Sequence, residues 1–420
     1  MVKPVRVVAA VAVASLALAA CGGGSSGGGT GSGGKTLTIS TDLPLQGSSK
    51  DSSDSTNNAI KLYLKQVGSK AGNFTIDFKQ YDDSTAAKGS WDDATCAKNA
   101  LDHIANTAEV AVMGTFNSGC AKIIAPKLNQ DPSGPMVMIS NANTNPGLTK
   151  KWEPGEPEKY FPSGKRSYGR VVTTDDIQGA AAAAFVAQDL GLKNCLVLND
   201  NQTYGQGVAK AFADAAAGVG ITVIANQPWD VKQPSYQAVF QGFKAKNPDC
   251  VFLGGIYDQN GGQLVKDKVA ILGDNTKVKM IAPDGFVGFP ELLKQPEADG
   301  MYLTFPGLGL ETLKQAGGTA AKFLEAYKAE YGKDPDSPYA IYGVAAVQVL
   351  LAAIAKSDGT RKGVRDAIFE GTGITIPAAE SLLGKDLTID PATGDVNVKD
   401  ITVEQIKGAA ETFVKAQPVG

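Results

Sequence analysis

The sequence predicts an α/β protein of two lobes, each built on a parallel, doubly wound sheet. Three observations predict it. Short apolar segments rich in β-branched residues alternate with helical segments, the pattern of parallel sheets. The alternation runs twice, over residues 37–139 and again over 179–282. Between the runs lies 145–170, rich in Gly, Pro and charge, and long for a plain loop inside a compact domain.

The chain has 420 residues, and its first 34 precede the fold. Lys3 and Arg6 are followed by an unbroken small-apolar run over 7–20. About 20 apolar residues are needed to span a bilayer, so this shorter run reads as a signal-peptide core. It ends Leu18-Ala19-Ala20-Cys21, which resembles the bacterial lipobox. That resemblance implies a signal peptide over 1–20, cleavage before Cys21, and acylation there by several chains, which anchor where a single chain would not. Residues 21–35 are a Gly/Ser tether. Within it, Gly29 to Thr36 fits the P-loop pattern and Gly24 to Gly28 fits a nucleophile elbow. Neither follows a strand, and the first opens a strand where a phosphate loop must open a helix. Both are accidents of composition.

The elements then follow in order. A strand at 37–40 leads to a helix at 58–67 and a strand at 74–78. Ser90, with Asp93 three residues on, has the spacing of a helix N-cap, and Ala94, Ala97, Leu101 and Ile104 share a face of that helix. Strand 110–113, helix 120–128 and strand 136–139 complete the first run. The second run reads helix 179–190, strand 195–198, helix 207–217, strand 221–225, helix 236–245, strand 250–253, helix 262–272 and strand 278–282. Helices at 323–331 and 339–355 follow, then short strands at 387–389, 395–398 and 401–403 around a turn at 390–394.

Composition narrows the chemistry. Forty Lys+Arg against 43 Asp+Glu leave a net charge of −3, with no basic stripe for nucleic acid. The one histidine, His103, lies on a predicted helix away from strand ends, so neither a His-rich metal site nor a catalytic triad is expected. Gly205-x-Gly207 has Lys210 where a dinucleotide loop needs its third glycine. No enzyme activity, metal or cofactor is expected. Asp82-Asp83 reads as a strand-to-helix turn in preference to a calcium site. Besides Cys21, four cysteines remain, at 96, 120, 195 and 250, with three possible connectivities and no C-x-x-C spacing. An extracytoplasmic setting lets such disulfides persist.

In open parallel sheets, ligands bind beyond the carboxyl ends of the strands. There the chain reads Gly114-Thr-Phe116-Asn117-Ser118, Ser140-Asn-Ala142-Asn-Thr144, Asn199 to Gly207 with Tyr204, Gly254-Gly255-Ile256-Tyr257, and Pro283-Asp284-Gly285. Ser118 at a helix N-terminus suits a carboxylate, and Asp284 suits an ammonium facing it.

Taken in order, these segments resemble the leucine/isoleucine/valine-binding protein family, the extracytoplasmic receptors of branched-chain amino-acid ABC importers. The likeness runs from Leu37 to beyond Gly394. It implies a Venus flytrap of two Rossmann-like lobes with three crossovers, near Thr173, Phe305 and Leu387. The lobes would then be 36–173 with 306–386, and 174–305 with 387–420. Carried over residue by residue, Ser118 and Thr144 bind an α-carboxylate, with Thr144 also reaching the ammonium. Ala142 offers a carbonyl, Asp284 takes the ammonium, and Phe116 and Tyr204 wall the side-chain pocket. Asn117 belongs to the same loop, and either Ile256 or Tyr257 supplies a further wall. The chain departs at Ser52, where the family often places an aromatic residue. Cys195 and Cys250 precede neighbouring strand cores and are expected to pair. Cys96 would join Cys120, as in some family members. The expected partners are a small-molecule ligand, a permease with its ATPase subunits, and the membrane through Cys21, for a monomeric receptor. A sensor for a membrane signalling partner, or a receptor for an amide or carboxylate, are the other readings; a surface hydrolase lacks a placed base.

Overall fold

The computed structural model describes residues 34–418. The signal segment, Cys21 and most of the tether lie outside the described residues.

Two sheets carry the fold. In the first, strands β1 (Thr36–Leu43), β2 (Phe74–Asp82), β3 (Glu109–Gly114), β4 (Val137–Ser140) and β5 (Tyr168–Arg170) run parallel. They are ordered β2-β1-β3-β4-β5, and the two-residue strand Lys70–Ala71 pairs antiparallel outside β2. The second sheet holds β6 (Asn194–Asn199), β7 (Thr222–Pro228), β8 (Cys250–Gly254), β9 (Lys279–Ala282), β10 (Tyr302–Phe305), β11 (Ile401–Lys407) and β12 (Ala410–Gln417). Its order is β7-β6-β8-β9-β10-β11-β12. The first five of that order are parallel, and β11 and β12 add an antiparallel edge. That edge departs from the purely parallel sheet expected, because a hairpin at 407–410 returns the chain beside itself.

The central strands β3 and β8 are buried along their whole length, as expected of parallel strands covered on both faces. The covering helices are α1 (Lys50–Gln66), α2 (Asp93–Ala105), α3 (Ser118–Asn129), α4 (Asp175–Ala184), α5 (Thr203–Ala216), α6 (Gln237–Lys244), α7 (Gly261–Leu272), α8 (Gly318–Tyr331), α9 (Tyr339–Lys356) and α10 (Arg361–Phe369). Helix α9 is apolar enough to cross a membrane, yet 83% of it is buried within the protein. It packs between α1 and α10 on the first sheet. That is a core helix.

Several expectations shift. Helix α2 is capped by Asp92, whose carboxylate accepts the Thr95 N–H at 3.0 Å, while Ser90 pairs in a two-residue strand. Its buried face is Cys96, Asn99, Ala100 and His103, and Leu101 is 60% exposed. A disulfide and a buried polar cluster turn the helix away from its aliphatic stripe. Asp82 accepts the N–H groups of Leu45 and Ser84, at 3.0 and 2.9 Å, so the acidic pair does form a turn. Both disulfides join the pairs expected, with Cα separations of 5.7 Å for Cys96–Cys120 and 4.6 Å for Cys195–Cys250. Cys195 and Cys250 are register partners on neighbouring strands.

The chain passes between the sheets in three places that touch. The Thr173 N–H donates to the Pro306 carbonyl at 3.0 Å, and its hydroxyl reaches the Asp400 carbonyl at 3.3 Å. The third passage therefore falls at 398–401, later than Leu387. Leu387–Thr388 pairs back on Thr375–Ile376, and the Gly394 carbonyl accepts the Arg170 N–H beside β5. The 390–394 turn keeps this part of the tail with the first sheet.

Candidate functional site

The cleft is built where β3, β4, β8 and β9 end. After β3, Phe116 and Asn117 lead into α3, whose first residue is Ser118. After β4, the Ser140 hydroxyl accepts the N–H groups of Ala142 and Asn143, at 3.0 and 2.8 Å, curling the loop that carries Thr144. Arg170, fully buried, holds this loop from behind. Its guanidinium donates to the carbonyls of Asn143 and Asn145 at 2.8 and 2.9 Å, and to Asp395 at 2.9 Å. Thr144 is thereby fixed on both sides.

From the second sheet, Pro283-Asp284-Gly285 folds against the loop after β8. A Cβ at Gly285 would stand 2.2 Å from the Gly255 carbonyl oxygen, so only glycine lets the turn lie there. The Tyr204 hydroxyl donates to Asp284 Oδ1 at 2.7 Å and accepts the Gly285 N–H at 3.0 Å. Tyr339, from the start of α9, donates its hydroxyl to Asp284 Oδ2. A carboxylate of the second sheet is thus gripped by a phenol from each half.

Phe116, Asn117, Ser118, Ala142, Tyr204, Ile256, Asp284, Gly285 and Tyr339 line a narrow, nearly closed cleft with about 10 Å³ of free space. Thr144 is fully buried, its hydroxyl without a hydrogen-bond partner among the described residues. Tyr257 does not join the lining. Its ring packs on Phe289 and Phe286, at 5.1 and 6.1 Å, and Ile256 takes the wall position. The residue after Gly255 points to the cleft, so its successor points away.

Two groups escaped sequence reasoning. Tyr339 read only as the start of an apolar helix, and nothing local marks it. Asp175 opens α4 just past the first crossover; a paired Asp175-Asp176 at a helix start was its one visible signal. Asp175 is fully buried, its N–H donates to the Thr144 carbonyl at 2.9 Å, and its carboxylate, close to the Thr144 hydroxyl, makes no well-formed hydrogen bond among the described residues. Burial, with the Asp284 charge nearby, pushes its carboxyl well above the usual range. Burial also raises Asp284, against the hydroxyls of Tyr339 and Tyr204 that hold it down. Two desolvated carboxyls near each other favour a cation between them.

The N-terminus of α3 also opens on the cleft. The Asn117 side chain makes no capping bond, and among the described residues the Ser118 hydroxyl accepts only the Asn145 N–H, at 3.4 Å. Free helix N–H groups and a hydroxyl are suited to an anion. Chemically, the cleft can hold one molecule with a negative and a positive end.

A family model described as "Periplasmic binding protein" matches residues 36–409. The chain belongs to the periplasmic binding proteins. Like them it is a receptor for a small solute, acting outside the cytoplasm and without a chemical step of its own. It has the type I fold of that family. Among curated relatives it is similar to the leucine-specific-binding protein of Salmonella typhimurium, 26% identical over 64% of this chain and 67% of that one. It is also similar to a leucine-, isoleucine-, valine-, threonine- and alanine-binding protein of Pseudomonas aeruginosa, 25% identical over 77% of this chain and 80% of that one. Solved structures repeat the fold. A leucine-binding protein from Thermotoga maritima superposes with a TM-score of 0.73 at 22% identity, over 91% of this chain and 98% of that one. A solute-binding protein from R. palustris in complex with benzoate gives 0.72 at 17% identity, over 91% and 97%.

Proposed function

We propose that this periplasmic binding protein is the lipid-anchored receptor of an ABC importer for an α-amino acid. One observation carries the ligand class. The cleft brings the α3 N-terminus and Ser118 together with the buried carboxyl of Asp284, and the buried carboxyl of Asp175 stands behind it, next to Thr144. A zwitterion matches this set, its carboxylate on Ser118 and Thr144 and its ammonium on Asp284 and Asp175. Ala142 adds a carbonyl, and Phe116, Tyr204 and Ile256 enclose the side chain. Relatives that bind leucine and its congeners support the same class. The lipid on Cys21 and the tether keep the receptor near its permease and raise its effective concentration there. The proposed lobes are 36–173 with 306–398, and 174–305 with 401–418.

A second reading has its own support, since a solved structure of this fold holds benzoate. For an aromatic acid the phenyl walls would serve, and Asp284 would repel the ligand or stand by. Calorimetric titration with a panel of L-amino acids and benzoates separates the two. Truncating one partner of a desolvated charge pair costs about 2–5 kcal/mol, so Asp284→Ala is expected to weaken an amino acid at least ~30-fold at 1.4 kcal/mol per decade. A best ligand that binds Asp284→Ala as well as wild type sinks the amino-acid reading. Cys21→Ala is expected to move the protein from the membrane to the soluble fraction.

A further inference from the structure

We propose that the cleft selects an amino acid whose side chain ends in a neutral hydrogen-bonding group, an amide or a hydroxyl, over a branched apolar one. The inference rests on the amino-acid reading of the same cleft and specifies its side chain.

Asn117 carries it. Asparagine at a helix N-cap ordinarily turns its side chain onto the N–H groups of the first turn. Here that bond is not made. The backbone carbonyl of Asn117 is fixed by the Thr115 hydroxyl at 2.7 Å, and the residue lines the cleft beside Phe116 and Ser118. The residue is 2% exposed, and neither its amide oxygen nor its amide nitrogen has a partner among the described residues. Each unpaired buried group of this kind is unfavourable, because it has given up water without gaining a partner. An isopropyl group would leave both in that state. A ligand carboxamide offers a donor and an acceptor together, and a hydroxyl offers either.

A second observation comes from α1. Ser52 and Ser53, in its first turn, are buried, and neither hydroxyl has a partner among the described residues. That turn runs beside the start of α9. Ser55 donates to Asp336 at 2.8 Å, and a Cβ on Gly343 would meet the Thr56 methyl at 2.5 Å. Tyr339, one turn before Gly343, stands edge-on to Phe116 at 5.4 Å. Behind the Tyr339 wall of the cleft the packing is thus polar, with hydroxyls in place of aliphatic side chains.

L-asparagine and L-leucine share one heavy-atom skeleton and differ only in the terminal amide or isopropyl group. The test titrates the mature chain with both, and with L-glutamine, L-threonine, L-isoleucine and L-valine, by calorimetry. In wild type, the best amide or hydroxyl amino acid is expected to bind at least ~10-fold tighter than leucine, the factor for about 1.4 kcal/mol. Asn117→Leu should shrink or invert the asparagine-to-leucine ratio. Leucine, isoleucine or valine binding as tightly as every polar amino acid would overturn the inference, and the wild-type series decides this without any variant. An unchanged ratio in folded Asn117→Leu would overturn it too. In both cases the amino-acid reading survives. Silence from every amino acid would instead remove that reading, and this inference with it.

Discussion

His103 is fully buried and stands between two carboxylates. Its Nε2 lies 3.0 Å from Asp42 Oδ2 and its Nδ1 2.6 Å from Glu109 Oε1. The Tyr81 ring lies 4.2 Å away, Ser40 Oγ 3.4 Å from Nδ1, and Arg361 donates to the His103 carbonyl at 3.1 Å. The histidine, serine and carboxylates of a triad are all there, sealed from any substrate, and they tie α2 to β1 and β3. Burial alone would lower the imidazole, but the hydrogen bonds it donates to Asp42 and Glu109 raise it to about 9. The unfolded value is about 6.5. A raised folded value means the contribution to stability is fully present below pH ~6.5 and lost as pH climbs through about 9. On the order of 3 kcal/mol is at stake at 1.36 kcal/mol per unit. Denaturant midpoints between pH 6 and 10 should fall in wild type and fall much less in His103→Gln. Parallel slopes would show that His103 is not the group responsible.

At the scale of elements, the alternation of strands and helices was legible, because parallel strands are continuous apolar runs that few other structures need. Element starts were less so. Helix α1 begins at Lys50, and α5 at Thr203, ahead of the 58–67 and 207–217 read from periodicity. Neither first turn carries an apolar stripe, and that of α5 sends Tyr204 into the cleft, so local hydrophobic spacing could not extend into them. Ser118 and Asp284 were visible because a strand end followed by a turn is a recognisable place. Tyr339 and Asp175 reach the cleft only through tertiary folding. The disulfides sit at opposite distances from it. Cys195 and Cys250 bridge the beginnings of β6 and β8, whereas Cys120 is in the same helical turn as Ser118. Each bridge contributes about 2–4 kcal/mol in the chain-entropy view. Cys195→Ala with Cys250→Ala should therefore lower the unfolding free energy while leaving ligand affinity nearly unchanged. Cys96→Ala with Cys120→Ala should lower both. Equal effects on affinity would mean that α3 is held by something other than its disulfide.

Over the whole molecule, two sheets joined by three touching passages can hinge, and few polar contacts hold the halves together on the cleft side. Ser49 Oγ donates to Asp258 at 2.7 Å, Asn145 Nδ2 to the Thr203 carbonyl at 3.1 Å, and Tyr339 to Asp284. The last of these is the one a bound ammonium would share, so it couples closure to ligand. Tyr339→Phe removes its donor while keeping the ring against Phe116 and Phe305. The free protein should then open more often, and apparent affinity should fall by the fraction still closed. Small-angle scattering gives the test. Free Tyr339→Phe is expected to show a larger radius of gyration than free wild type, and saturating ligand should bring both to one compact value. If ligand leaves both profiles where they were, closure is not what the Tyr339–Asp284 contact controls. If the variant is larger even at saturation, the phenol is needed to close the cleft at all, and the ligand alone cannot bridge the two halves.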